Sequence, residues 1–257
     1  MSVRDAAAGL CPDDRGVSET VGFVLVFALI TSTVAVTFTV GLGGLEDAQL
    51  AERDNNVERA FDVLQDNLDD VSRDGVPSRA TEIQLGGGEL RLEQDSTFRL
   101  NDTATPGTVV ETGSLTYYGA GDTRIVYENG AVFRMQGDNG VMLNEPDLLL
   151  GDTVVYSLHG LGGPSQTAGG DRTVLVVGQR DTREAAVDDR TATDNVTLTI
   201  NSSQATVWER YYSELASEHD HISVSTTGGP DLTVTFDAAR YERYVVHRTE
   251  TLIEFSD

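Results

Sequence analysis

A run without charged side chains, from Thr20 to Leu45, constrains the fold of this chain more than any other feature. The run is 26 residues long, and about 20 apolar residues in a helix are enough to cross the hydrocarbon core of a bilayer. Its apolar residues are interrupted only by Thr, Ser and Gly, whereas the core helix of a soluble protein normally keeps a polar face. The run therefore predicts a membrane-spanning helix.

The flanks of this run predict its orientation. Arg4 and Arg15 precede it, and basic residues stay on the cytoplasmic side of a membrane, while neighbouring acidic residues count for little. We therefore expect a cytoplasmic N-terminus and an extracellular C-terminal domain.

The residues on either side of the run bear on its processing. A conventional secretory signal has a shorter apolar region followed by an Ala-x-Ala cleavage site, and this run offers only Gly41-Leu42-Gly43 as a weak substitute. The motif Arg-Gly-Val-Ser-Glu at residues 15–19 stands directly before the run. It resembles the class III signal peptide of archaeal type IV pilins, including those of haloarchaea, which a prepilin peptidase cuts on the cytoplasmic side. The resemblance implies a cut between Gly16 and Val17, with the apolar helix kept on the mature chain.

The charge of the chain limits its partners and its setting. The formal net charge is −24, and all 18 basic residues are Arg. Acid excess without Lys resembles the proteomes of halophilic archaea, whose acidic surfaces stay hydrated when salt screens charge. Nucleic acid is not an expected partner because phosphate binding needs basic patches. The one cysteine, Cys11, lies in the proposed leader, so we expect the mature domain to be held together without disulfides.

A charged but periodic segment follows the apolar run. Its apolar residues recur at helical spacing, and Asp54 takes the one polar position in the stripe formed by Leu50, Val57, Phe61, Leu64, Leu68 and Val71. The pattern predicts a helix from about Leu45 to Ser72, ended by Gly75 and Pro77. This stripe could contact other subunits, but the domain that follows favours packing against the chain's own sheet.

Short alternating runs after Ser78 predict a largely antiparallel, β-rich domain, which makes the fold class α+β. We expect one hairpin around Gly86-Gly87-Gly88 and another around Gly228-Gly229-Pro230. Residues 181–194 are polar and predict an exposed loop. One face of a predicted helix carries Val207, Trp208, Tyr211, Tyr212 and Leu215. This aromatic stripe is more typical of a helix that covers a sheet than of a ligand site.

Few residue patterns carry chemistry. Three Asn-x-Ser/Thr sequons, at Asn101, Asn195 and Asn201, are candidate glycosylation sites if the domain is exported, with chance occurrence as the alternative. His219 and His221 could hold zinc only with a third ligand from elsewhere, and a polar turn is favoured. The sequence contains no hydrolase elbow, phosphate loop or zinc-protease motif. We therefore expect no enzyme activity, no catalytic residue, no cofactor and no metal.

The pilin resemblance covers residues 15–74 most specifically. The β-rich remainder, including the segment 127–133 with sequence Tyr-Glu-Asn-Gly-Ala-Val-Phe, is similar to large haloarchaeal pilin-like proteins. The implied organisation is a leader at 1–16, a transmembrane and assembly helix at 17–45, an amphipathic continuation at 46–75 and a β-rich extracellular domain at 76–257. Ser18 and Glu19 would then begin the assembly helix. An acid at the membrane edge is costly unless it is paired, so Glu19 is expected to pair with the Val17 amine of a neighbouring subunit, with interfacial hydration as the alternative.

Two functions follow from this organisation. Glu19 stands where the commonest haloarchaeal pilins carry Pro, and the chain is larger than a typical major pilin, which favours a minor or accessory subunit. The first function is therefore a surface-exposed, structural or adhesive subunit of a type IV pilus-like system, with prepilin peptidase, other pilin-like subunits and the membrane as partners. The second is a single-pass surface protein whose β-domain binds a ligand or senses the exterior without assembling.

Overall fold

A computed structural model describes residues 15–101, 108–119, 121–189, 195–226, 231–237 and 240–256. Contacts within the chain divide it into two compact units, Met1–Ala51 and Glu52–Asp257. The fold is α+β, as predicted from the sequence: one long N-terminal helix and a β-rich domain.

The long helix, α1, spans Arg15–Asp69 and continues as one π-helical turn at Asp70–Asp74. Gly75 then takes a left-handed conformation, with φ of 73°, and its N–H donates to the Asp70 carbonyl. Glycine adopts this conformation without the Cβ clash of other residues, and it is a common way to end a helix. The predicted end of the helix, at Gly75 and Pro77, is confirmed.

The amphipathic stripe of α1 packs against the chain's own domain. Val57, Phe61, Leu64 and Leu68 are at most 3% exposed and join one hydrophobic core with residues of both sheets. This confirms that the stripe serves intramolecular packing. Asp54, its polar member, is also buried.

Fourteen strands in the described part of the chain form two sheets. Their bounds are β1 Ser78–Gln84, β2 Glu89–Asn101, β3 Thr108–Tyr118, β4 Thr123–Glu128, β5 Ala131–Gln136, β6 Asn139–Asn144, β7 Leu148–Leu149, β8 Thr153–Gly162, β9 Gln166–Gly169, β10 Thr173–Asp189, β11 Val196–Asn201, β12 Ile222–Thr226, β13 Asp231–Phe236 and β14 Arg243–Ser256.

The first sheet has the order β1-β10-β14-β8-β7, and the second has the order β12-β13-β11-β2-β3-β4-β5-β6, with β9 paired to β2. Neighbouring strands are antiparallel except β8 and β14, which run parallel from the pair Arg243 and Thr153 to the pair Leu252 and Gly162. The prediction of a largely antiparallel domain is confirmed.

The second sheet is covered on both faces in its β4 and β5 region. Ile125 and Tyr127 belong to the core that contains α1, while Val126 between them belongs to the other core. Successive residues of a strand point to opposite faces, so the Val57–Leu68 part of α1 and the second helix lie on opposite sides of these strands. The second helix, α2, spans Ala205–Glu218 and buries Val207, Trp208 and Tyr212, which confirms its predicted role as a cover over the sheet.

Two local predictions were wrong. β1 and β2 exist but do not form a hairpin: β1 pairs with β10 in the first sheet, and β2 pairs with β3, β9 and β11 in the second. The turn after β1 instead carries the chain from one sheet to the other, and the Leu85 N–H donates to the Arg172 carbonyl. Residues 181–189 are not a loop but the second half of β10, paired with β14 beyond a bulge between Arg180 and Thr182.

The other glycine-turn prediction fared better. β12 and β13 pair as the two antiparallel arms of a hairpin, while the predicted Gly228-Gly229-Pro230 turn lies outside the described residues. β4 and β5 form a further hairpin in which Asn129 and Gly130 both have positive φ, 46° and 81°. A two-residue Asn-Gly connection of this kind matches the twist of the strands it joins.

Candidate functional site

The apolar half of α1 is exposed along its whole length. Every residue from Thr20 to Glu46 is exposed, including Phe23 at 71% and Val40 at 70%. Soluble monomeric proteins rarely leave so long an apolar surface in water, because each exposed apolar residue forgoes the free energy of burial. Of the helices in the described residues, this one alone is long and apolar enough to cross a membrane.

The polar groups within this segment suit an apolar surrounding. The Thr33 hydroxyl donates to the Leu29 carbonyl at 2.8 Å, and the Thr39 hydroxyl donates to the Ala35 carbonyl at 2.9 Å. These bonds to the carbonyl one turn earlier satisfy hydroxyls that would find no water in lipid. The threonines therefore do not oppose insertion of the helix.

The proposed processing junction lies at the start of α1. Gly16, Val17, Ser18 and Glu19 belong to its first turns by backbone conformation. Their side chains lie outside the described part of the structure, as do residues 1–14. The cut after Gly16 and the pairing of Glu19 therefore stay predictions.

The three sequon asparagines lie at the ends of two neighbouring strands. Asn101 is the last residue of β2 and is paired with Thr197 of β11. Asn195 precedes β11, and Asn201 ends it with its amide donating to Asp231 at 2.5 Å. All three are exposed, which makes them accessible to a glycosyltransferase, and their modification stays a prediction.

A buried carboxylate joins α2 to the second sheet. Glu128, at the end of β4, is 0% exposed and accepts hydrogen bonds from the Ser96 hydroxyl, the Ser202 hydroxyl and the Trp208 indole N–H. Burial raises the pKa of Glu128, although the hydrogen bonds oppose that rise. Ser202 also accepts from the Gln204 N–H at 2.9 Å, so one hydroxyl serves both the carboxylate and the start of the helix.

A second polar cluster lies where α1 ends. Asp69 Oδ2 accepts from Arg73 at 2.8 Å, and Asp69 Oδ1 lies 3.7 Å from Nδ1 of His159 on β8. The backbone N–H of His159 donates to Asn129 Oδ1 at 2.9 Å. Burial raises the pKa of Asp69 to about 6 and lowers the pKa of His159 to about 4, so the imidazole is neutral at neutral pH and the contact is not an ion pair.

His219 and His221 lie close together, with ring centroids 5.4 Å apart, and His221 also packs on Tyr241. Among the described residues, no group of three or more His, Cys, Asp or Glu side chains is arranged to hold a metal ion. The pair therefore forms a ring-packed turn before β12 rather than an evident ligand set.

Residues 15–253 match the model of a family of unknown function, DUF7289. The chain belongs to this family. The match starts at Arg15, the first residue of the Arg-Gly-Val-Ser-Glu motif, and includes α1, α2 and nearly all of the β-rich domain. The helix is thus part of what DUF7289 proteins share.

An uncharacterized protein from Archaeoglobus fulgidus is 31% identical to this chain over 80 residues. The aligned part is 31% of this chain and 26% of the relative, so the chain spans about a quarter of that protein's length. No solved structure matches the chain.

The two buried clusters were not predicted from the sequence. Glu128 lies in the segment 127–133, where no local pattern marks it as buried. Asp69 and His159 are 90 residues apart in sequence. Only the polar residue at position 54 of the helical stripe gave a signal of buried polarity. The partners of Glu128 come from β2, the segment before α2 and α2 itself, and no local pattern connects them.

Proposed function

We propose that this chain is a membrane-anchored surface protein that acts as a minor or accessory subunit of an archaeal type IV pilus-like system. In this proposal, prepilin peptidase cuts between Gly16 and Val17, and the mature chain assembles through its N-terminal helix. The N-terminus faces the cytoplasm and the β-rich domain faces the exterior, in a cell adapted to high salt.

The exposed apolar half of α1 carries the proposal. Every residue from Thr20 to Leu45 is exposed rather than buried within the chain. Its apolar surface needs an apolar surrounding, which lipid supplies before assembly and helices of other subunits supply afterwards. The position of the Arg-Gly-Val-Ser-Glu motif directly before this surface adds support, since a cut there would leave the whole apolar helix on the mature protein.

The amphipathic half of α1 supports the same division of labour. Val57, Phe61, Leu64 and Leu68 are buried against the β-rich domain. Contacts with other subunits would then be made by the segment from Thr20 to Leu45. The net charge of −24 disfavours nucleic acid as a partner, and the proposed role needs no cofactor, metal or catalytic residue.

Single-cysteine cross-linking tests assembly directly, because Cys11 is the one cysteine. In a Cys11→Ser background, Val34→Cys places a thiol on the exposed helix, where Val34 is 62% exposed. Assembly predicts cross-linked species from intact cells at this position. The matched control is Leu149→Cys in the β-rich domain, where Leu149 is 61% exposed. A Val34→Cys chain that stays monomeric would contradict assembly.

Glu19→Gln tests the assembly residue. If Glu19 pairs with the Val17 amine of a neighbour, the variant reaches the membrane and is cut, but it enters surface complexes poorly. Incorporation equal to that of the wild type would refute this pairing.

The second candidate function is a single-pass surface protein with a ligand-binding or sensing β-domain. Two adjoining clefts favour it, with volumes of about 330 and 390 Å³. Leu252, which is 43% exposed, lines both clefts. This alternative predicts that Val34→Cys gives no cross-link and that Glu19→Gln does not change the association of the protein with other subunits.

A further inference from the structure

We propose that Asp69, Tyr127 and His159 enclose a binding site for one water molecule that bridges the Asp69 carboxylate and the His159 imidazole. This site would fasten the end of α1 to β4 and β8. It lies wholly within the unit Glu52–Asp257 and does not depend on how the N-terminal segment is processed.

Two buried polar atoms at this place lack a hydrogen-bond partner: Oδ1 of Asp69 and the hydroxyl of Tyr127. Tyr127 is 0% exposed; burial raises the pKa of its phenol, and the nearby Asp69 carboxylate adds to that rise. The phenol proton has no acceptor among the described residues. Buried polar atoms are rarely left in this state because each forgoes the hydrogen bonds it would make in water.

The imidazole completes the site. His159 is 5% exposed, and its Nδ1 is 3.7 Å from Asp69 Oδ1, which is too long for a direct hydrogen bond. A polar contact of this length between buried groups is commonly bridged by water.

One water molecule matches the chemistry of all three groups. It can donate one hydrogen to Asp69 Oδ1 and the other to Nδ1 of the neutral imidazole, and its oxygen can accept the Tyr127 O–H. Three partners are typical of a buried water. The assignment requires the His159 tautomer that carries its proton on Nε2.

Burial and the neighbouring charged groups decide which member of the Asp69–His159 pair is protonated. Asp69 faces Arg73, Asp66, Asp147 and the Tyr127 phenol, and His159 faces Asp147, Arg73 and His247. Burial raises the pKa of Asp69 to about 6 and lowers the pKa of His159 to about 4. Near pH 5 the folded pair therefore carries its proton on the carboxyl group, whereas in the unfolded chain the proton is on the imidazole.

The two groups have opposite effects on stability versus pH. A raised carboxyl pKa contributes stability below the unfolded value of 3.8, and this is lost as pH rises through about 6. A lowered imidazole pKa contributes stability above the unfolded value of 6.5, and this is lost as pH falls through about 4. Since the two windows nearly coincide, folding changes the number of protons bound to the pair very little, and the effects cancel.

Four full-length chains in detergent test this cancellation: the wild type, Asp69→Asn, His159→Gln and the double variant. The denaturant midpoint, followed by the fluorescence of Trp208, the one tryptophan, is measured between about pH 4 and pH 7. The double variant gives the pH dependence of the rest of the molecule, and the wild type is expected to run parallel to it.

The single variants are expected to diverge in opposite directions. Relative to the double variant, Asp69→Asn loses stability on acidification, and His159→Gln gains it. Each change is about a hundredfold in the unfolding equilibrium constant, because a pKa shift of about two units multiplies that constant by about a hundred. A single variant that runs parallel to the double variant, or a wild type that slopes like one of the single variants, would overturn the opposed protonation states of Asp69 and His159.

The bound water has its own test. In NMR spectra of the wild-type chain in detergent, a long-lived water should give a cross-peak to the His159 ring, and Tyr127→Phe should remove it. Tyr118→Phe is the control, because the Tyr118 hydroxyl does not belong to this site and donates instead to the Glu93 carboxylate at 3.2 Å. Absence of the cross-peak in the wild type, or its persistence in Tyr127→Phe, would overturn the water site.

Discussion

Trp208 donates its indole N–H to Glu128 Oε2 at 2.6 Å, so the helix α2 is fixed to the β4–β5 hairpin through a fully buried carboxylate. Phe98 and Phe133 pack edge-on against the same indole, with ring centroids 5.4 and 5.2 Å away. The carboxyl group of Glu128 thus positions the aromatic cover over the second sheet. Its hydrogen-bond partners come from three segments of the chain.

Glu128→Ala should destabilise the domain by about 3 kcal/mol, because it leaves the indole N–H and two hydroxyls buried without an acceptor. Chemical denaturation followed by circular dichroism would measure the loss. Glu82→Ala is the matched control, since Glu82 is exposed on β1, and it should change stability by less than about 0.5 kcal/mol. Equal effects of the two substitutions would contradict the role of the buried carboxylate.

Glu128→Gln should remove a pH dependence. The folded-state pKa of Glu128 is raised by burial, so its contribution to stability is full below the unfolded value of 4.5 and is lost as pH rises through the folded value. The stability of the wild type relative to Glu128→Gln should therefore fall as pH increases. Denaturant midpoints of the wild type and Glu128→Gln, measured from below to above pH 4.5, would test this prediction. A wild-type advantage that rises with pH would show that the hydrogen bonds to Glu128 outweigh its burial.

Phe61→Ala should cost about 3–5 kcal/mol, because Phe61 is fully buried between α1 and the sheets and its removal leaves a cavity. Val63 lies on the same helix and is 52% exposed, so Val63→Ala should cost less than about 0.5 kcal/mol. Thermal unfolding of the two variants would compare them. A small effect of Phe61→Ala would mean that the stripe is not needed to hold the domain together.

Gly130→Ala should destabilise the β4–β5 hairpin by about 1–2 kcal/mol. The space is adequate, since an added Cβ would lie 3.7 Å from the His159 ring, and the cost comes from the positive φ of 81°. Gly151 is the control: its φ lies outside the left-handed region and an added Cβ would lie 3.8 Å from the Thr153 carbonyl oxygen, so Gly151→Ala should change stability by less than about 0.5 kcal/mol. Chemical denaturation would compare the two variants, and equal effects would contradict the role of the positive φ.

Periodicity and turn chemistry predicted the long elements because both are local. The charge-free run specified the exposed half of α1, and the spacing from Val57 to Val71 specified the buried half. Gly75 marked the helix end by its left-handed conformation. Asn-Gly is a common pair in two-residue hairpin turns, and Asn129-Gly130 forms the connection between β4 and β5.

Pairing between distant segments was not predictable from these signals. Three glycines between two alternating runs usually indicate a hairpin, yet β1 pairs with β10, almost 90 residues later. The polar residues of 181–189 indicated a loop, but their backbone pairs with β14, while the side chains of residues 181–186 stay largely exposed. Glu128, Asp69 and His159 became visible as clusters only once the two sheets and α1 were placed together.

The mass of the mature N-terminus tests the central claim most directly. Protein recovered from cell membranes would be digested, and its N-terminal peptide identified by mass spectrometry. Cleavage by prepilin peptidase predicts a chain that starts at Val17 and keeps the apolar segment from Thr20 to Leu45. A chain that retains residues 1–16, or one that starts beyond Leu45, would contradict it.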